Sequence, residues 1–158
     1  MFSLIISIIS IALVAALAAA TVYFGGAAFN KGGAGADAST FINGAQQVAG
    51  AFTLAATDGF SSAADSVAKL ANGTLGESST GALDGEIYLS QVPSYKGTSL
   101  ELSSTAGLTN YVTVSVSTEV CNEIVKRTGV VAPADEAAVI ASKPLYTCVA
   151  DTAYYKVK

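Results

Sequence analysis

Cys121 and Cys148 are the two cysteines in 158 residues, and what surrounds them decides what chemistry they can do. The chain has no histidine, so it lacks both the commonest general base and the commonest metal ligand. Two thiols without histidine make a poor zinc site, and this spacing is not the C-x-x-C of redox proteins. Both lie in the C-terminal third, beyond an apolar N-terminal segment that would place them outside the cytoplasm, where a disulfide persists. They read as a disulfide. Closing a loop of about 28 residues restricts the unfolded chain by ~3 to 4 kcal/mol on the chain-entropy account.

Other reactive groups are isolated. A hydrolase built from Ser or Thr with Lys69, Lys96 or Asp84 has no nucleophile motif behind it, so no enzyme and no cofactor are expected. Asn72-Gly73-Thr74 matches a glycosylation acceptor, a three-residue pattern that is common by chance. Net charge is −4, from 8 basic and 12 acidic side chains, which leaves no electrostatic footprint for nucleic acid or an anionic membrane surface. Charged residues make up 13%, with Ala, Gly, Ser and Thr abundant, a composition suited to a surface largely covered by other protein.

The element that organises the chain is Phe2 to Phe24, 23 residues without a charge. As a helix rising about 1.5 Å per residue it is about 35 Å long, enough to cross a hydrocarbon layer of roughly 30 Å. Three readings fit: a cleaved signal peptide ending at Ala18-Ala19-Ala20, a single-pass anchor, and a segment that starts in a membrane and ends packed against copies of itself. No Lys or Arg precedes the run, which counts against the first. Its side chains shrink from Leu4, Ile5, Ile6, Ile8, Ile9 and Ile11 to an Ala-rich half, and small residues let helix backbones approach closely. Ser3, Ser7 and Ser10 share a face and can bond carbonyls one turn back.

Residues 25–36 hold Gly25, Gly26, Gly32, Gly33 and Gly35. At ~1 kcal/mol each relative to Ala, they predict loss of helix between about Thr21 and Ala36. From Asp37 a helical pattern returns: Phe41, Ala45, Val48, Phe52 and Ala55 lie on one face, with Asp37 or Ser39 as cap and Asp58-Gly59 as stop. Residues 60–85 read as a variable loop with a short helix near Asp65 to Leu70. Strand patterns follow at Glu86–Ser90, Ser99–Ser104 and Tyr111–Ser117, alternating as in an antiparallel sheet with one buried and one wetter face. Ser117 or Thr118, Glu119, Lys126, Arg127 and Gly129 punctuate a helix carrying Cys121. Pro133, Asp135 and Glu136 start another, ended before Pro144. YTCVADTAYYKVK reads as a last strand carrying Cys148.

In this order the parts are similar to those of a type IV pilin. FINGAQQVAGAFTLAATDG resembles the globular half of the spine helix in PilS-like, type IVb-related major pilins, and VCNEIVKRTG with the later TCV resembles their disulfide loop. The resemblance covers essentially the whole chain. It implies an α+β fold with a hydrophobic spine (residues 1–36) and a globular head (residues 37–158), polymerising into an extracellular filament from an inner-membrane precursor. Prepilin peptidase and assembly machinery are the implied partners; the resemblance does not select among adhesion, motility, DNA uptake, conjugation and secretion as the filament's role. Met1, Phe2, Ser3, Ile5, Ile9, Ala12, Ala15, Ala16 and Ala19 would form the assembly surface, and a mature Met1 fits the resemblance, because type IVb pilins often begin with a residue other than Phe. Most such pilins carry glutamate at the fifth mature position, paired with a neighbour's amino terminus. Ile5 stands there, so that salt bridge cannot form: either the mature start differs from Met1, or Ser3 and carbonyls satisfy the amino terminus, or packing alone sets subunit registration. The alternatives are a pseudopilin of a secretion system and, in a different class, a monomeric membrane-anchored binding domain.

Overall fold

Helix α1 runs unbroken over Phe2–Thr57 in the computed structural model, which describes residues 2–59, 66–73, 87–129 and 135–157. Its 56 residues extend about 84 Å at about 1.5 Å per residue. The expected break between Thr21 and Ala36 is therefore absent, and α+β with a continuous spine is the architecture. Glycine lowers helix propensity by ~1 kcal/mol per residue, but helix already stands on both sides of this stretch, so it propagates without a new nucleus. Nothing competes for the chain there: Gly25, Gly26, Gly32 and Gly33 have open space where a Cβ would be. With the helix continuous, neither Asp37 nor Ser39 caps a helix start. Gly59, at φ 94°, takes the chain out of the helix at the other end.

The C-terminal half of α1 makes the core. Ala34, Ala38, Phe41, Ala45, Val48, Phe52 and Ala55 are all buried, and their steps of four and three keep them on one face. That stripe meets the inner face of a four-stranded antiparallel sheet ordered β3-β4-β6-β5, in which β3 is Glu101–Leu102, β4 Tyr111–Ser115, β5 Tyr146–Val149 and β6 Thr152–Lys156. Val112 and Val114 of β4 and Ala153 and Tyr155 of β6 join Phe41, Val48 and Phe52 in one cluster. The short helix expected near Leu70 is α2, Val67–Asn72, with Val67 and Leu70 buried in the same core.

Strand boundaries depart from the alternation pattern in three places. Residues 87–90 form no strand; the chain is tied instead to α2 by the Tyr88 and Leu89 amides, which both donate to the Leu70 carbonyl at 3.0 Å. Glu86 lies outside the described residues, as do Asp84 and Pro133. Ser99–Ser104 is divided between two sheets: β1, Ser94–Tyr95, pairs with β2, Thr98–Ser99, and only Glu101–Leu102 pairs with β4. The C-terminal segment is a hairpin rather than one strand. Val149 pairs with Thr152, leaving a two-residue turn at Ala150 and Asp151 with φ 46° and 58°. Two positive φ values match the twist of the flanking strands, yet Ala-Asp is not the Asn-Gly or Asp-Gly signature that advertises such a turn. Asp151 is held from outside, its carbonyl accepting from the Val116 amide at 2.8 Å.

The outer face of the sheet is not simply wet. Helix α4, Glu136–Ser142, capped by Asp135 accepting from the Ala138 amide, lays Val139 against Leu108, Tyr111, Val149 and Tyr154 to form a second, smaller core. Tyr154 donates to Glu136 Oε1 at 2.5 Å and Tyr111 to the Pro144 carbonyl at 3.0 Å. Burial pushes both phenols up, and for Tyr154 the Glu136 carboxylate adds to the shift. A raised phenol pKa means that above about pH 10 the unfolded chain loses protons the folded one keeps. Head stability should therefore fall as pH rises beyond about 10, with a shallower fall in Tyr154→Phe; urea midpoints at pH 9 and 11 measure it.

Helix α3, Thr118–Thr128, buries Val120, Cys121 and Ile124 and ends at Gly129, φ 64°. Ser117 occupies the cap position without a side-chain cap bond; Thr118 instead donates to Asp151 Oδ2 at 3.3 Å. Cys121 in the first turn of α3 is bonded to Cys148 of β5, with Cα atoms 5.3 Å apart. The bond staples α3 over the sheet edge, where β5 has β6 as its one ladder neighbour. Reduction, or Cys121→Ser with Cys148→Ser, should lower head stability by ~3 kcal/mol, read as a shift of the urea midpoint of detergent-solubilised protein.

Candidate assembly surface

Where α1 leaves the head, its side chains lose all cover. Ala34 is the first buried residue from the N-terminal end among those described. From Phe2 to Phe24 the large apolar side chains are between 53% and 84% exposed, Ile5 least and Phe2 most. A patch of this size on a protein in water marks an interaction surface. Among the described residues, α1 is the one helix long and apolar enough to cross a membrane, and Tyr23 and Phe24, in edge-on contact with centroids 5.4 Å apart, stand at the end of the apolar run.

The surface is apolar all round, but its faces differ. Phe2, Ile5, Ile9, Ala12, Ala16 and Ala19 step by three, four, three, four and three, so they share one face; Ala15 lies beside it, one turn before Ala19. Ser3, Ser7 and Ser10 lie across the helix. Ser7 Oγ donates to the Ser3 carbonyl and Ser10 Oγ to the Ile6 carbonyl, both at 2.9 Å, so the Ser7 and Ser10 hydroxyls are satisfied within their own helix. Ala16 and Ala34 are eighteen residues apart, about five full turns at 3.6 residues per turn. The Ile/Ala face thus continues, below the head, the face that the head buries. Met1 lies outside the described residues.

Little else among the described residues is arranged for chemistry. No group of His, Cys, Asp and Glu able to hold a metal occurs among the described residues. An open hollow of about 570 Å³ between α1 and α3 mixes Lys31 and Lys126 with Glu119 and Glu123, so it presents no single sign of charge. Lys96, one of the lysines considered for a hydrolase, is ion-paired to Asp37 at 2.7 Å. The hydrogen bond to Asp37 raises its pKa, the reverse of what a lysine base needs. Asn72 is exposed at the end of α2, and Thr74 of its acceptor triplet lies outside the described residues. Sequence patterns missed the contacts that hold α1 at its exit: Lys96 with Asp37, and Arg127 with Gly35 and Ser39.

No protein-family model, curated protein or solved structure matches this chain. The chain has a long N-terminal apolar helix over an antiparallel sheet, with a disulfide near the C-terminus.

Proposed function

We propose that this chain is the structural subunit of an extracellular, type IV pilus-like helical filament, assembled from an inner-membrane precursor by bundling of its N-terminal helices. One observation carries the reading: half of a continuous 56-residue helix is the core element of a disulfide-stapled head, and the other half is apolar and uncovered. In a bilayer, lipid covers that half. In a filament, copies of the same half cover one another, and the graded Ile-to-Ala face supplies small residues where backbones come close. Low charge over the head suits a surface flanked by neighbours. A prepilin peptidase and pilus assembly machinery are the partners this reading requires.

The second reading, a monomeric anchored binding domain, is favoured by the all-round apolarity of Phe2–Phe24, which lipid alone would satisfy. Shearing cells and imaging the released material separates the two. Detergent-free filaments composed of this chain support assembly; a chain found only in the membrane, extracted by detergent as a monomer, overturns it.

A further inference from the structure

The first turn of α1 inside the head is poorly held by packing. Its buried residues are Ala34 and Ala38, each offering one methyl group, whereas Phe41 and Phe52 anchor the helix deeper in. Polar contacts take over at this turn. Arg127, in the last turn of α3, donates from Nη1 to Ser39 Oγ at 2.8 Å and from Nη2 to the Gly35 carbonyl at 2.9 Å. Ser39 Oγ donates in turn to that same carbonyl at 3.0 Å, so the guanidinium closes a ring of three hydrogen bonds on one helical turn. Glu123, one turn back on α3, faces Arg127 Nε at 3.6 Å and orients the fork. Asp37, two residues from both Gly35 and Ser39 and therefore on the opposite face, is paired with Lys96.

We propose that Arg127 is the positioning residue that sets the direction in which the apolar helix leaves the head, with the disulfide as its brace. Cys121 fixes the start of α3 to β5, and Arg127 at the other end grips α1, so α3 is a strut between the sheet and the exit turn. The planar guanidinium presents parallel donors, one to each acceptor, a fixed geometry that a lysine's single ammonium nitrogen on a flexible stem does not reproduce. The Lys96–Asp37 pair is a weaker contributor: the lysine is 60% exposed against 35% for Arg127, and exposed pairs are screened by solvent. Resting on the filament reading, the consequence is that all heads in a filament sit at one angle to its axis.

The test uses the full chain in detergent micelles, so its outcome does not depend on whether filaments form. Arg127→Met should speed amide exchange over residues 36–40 about tenfold, the protection lost with a charge-assisted hydrogen bond. It should also broaden the distance distribution between nitroxide side chains placed at Val14 and Ser142 through non-cysteine labels. Arg127→Lys should fall between, and Lys126→Met should match the parent. Unchanged exchange and distances in Arg127→Met would overturn the proposal. So would acceleration spread evenly over the head, including β4 and β6, because that marks a general loss of stability. Failure of the filament reading shows separately, as absence of filaments from the parent.

Discussion

An Ala16→Leu subunit is expected to reach the membrane at the parent's level and fail to appear as filaments. Ala16 lies on the face that continues the head-covered stripe, among the small residues where neighbouring helices would approach most closely. Replacing a methyl by an isobutyl group in a packed helix contact typically costs about 1 to 3 kcal/mol, and in a polymer the cost recurs at every subunit. A helix facing only lipid would tolerate the change, since leucine suits hydrocarbon better than alanine. Quantitative blotting of sheared and cell fractions reads the outcome, with Ala12→Leu, Ala15→Leu and Ala19→Leu scanned alongside. Assembly of all four variants like the parent would show that no close helix contact exists on this face and would return the apolar half to the role of a lipid anchor.

Phe41→Ala should cost the head about 3 to 5 kcal/mol, the range for emptying a buried aromatic site. Phe41 is fully buried where α1 meets the sheet, and the cavity left behind cannot collapse easily, because α1 is also held at its exit by Arg127. Phe52→Ala, near the C-terminal end of the helix, provides a comparison. A small domain has about 5 to 15 kcal/mol in total, so Phe41→Ala should lose a large part of its urea resistance. A shift under 1 kcal/mol would show that the α1 stripe is not the principal core contact.

Hydrophobic periodicity alone was enough to place the covered face of α1 from Phe41 onward, although not the buried turn at Ala34 and Ala38 before it. The steps from Phe41 to Ala55 forecast a buried stripe, and every one of those residues is buried. The apolar run, the alternation of Val112, Val114 and Val116, the helix ending at Gly129 and the Cys121–Cys148 pair were legible for the same reason: each is a local pattern whose physical meaning hardly depends on the rest of the chain. The expected break at the glycines was not borne out. Propensity counts each residue separately, whereas helix propagates cooperatively from flanks that are already helical. The terminal hairpin was hidden because Ala150 and Asp151 carry no turn signature and are held in positive φ by the ladder between β5 and β6.

What sequence determined by itself is that 23 consecutive residues need cover other than water and that the rest can build a stapled α+β head. Only the tertiary structure decided that one continuous helix joins the two, that α4 covers the outer face of the sheet, and that Arg127 meets Gly35 and Ser39 across 92 and 88 positions of chain. Contacts between residues so far apart leave no local pattern. They exist because the disulfide, α3 and the sheet bring a long cationic side chain to a helix turn that alanine packing alone would leave loosely held.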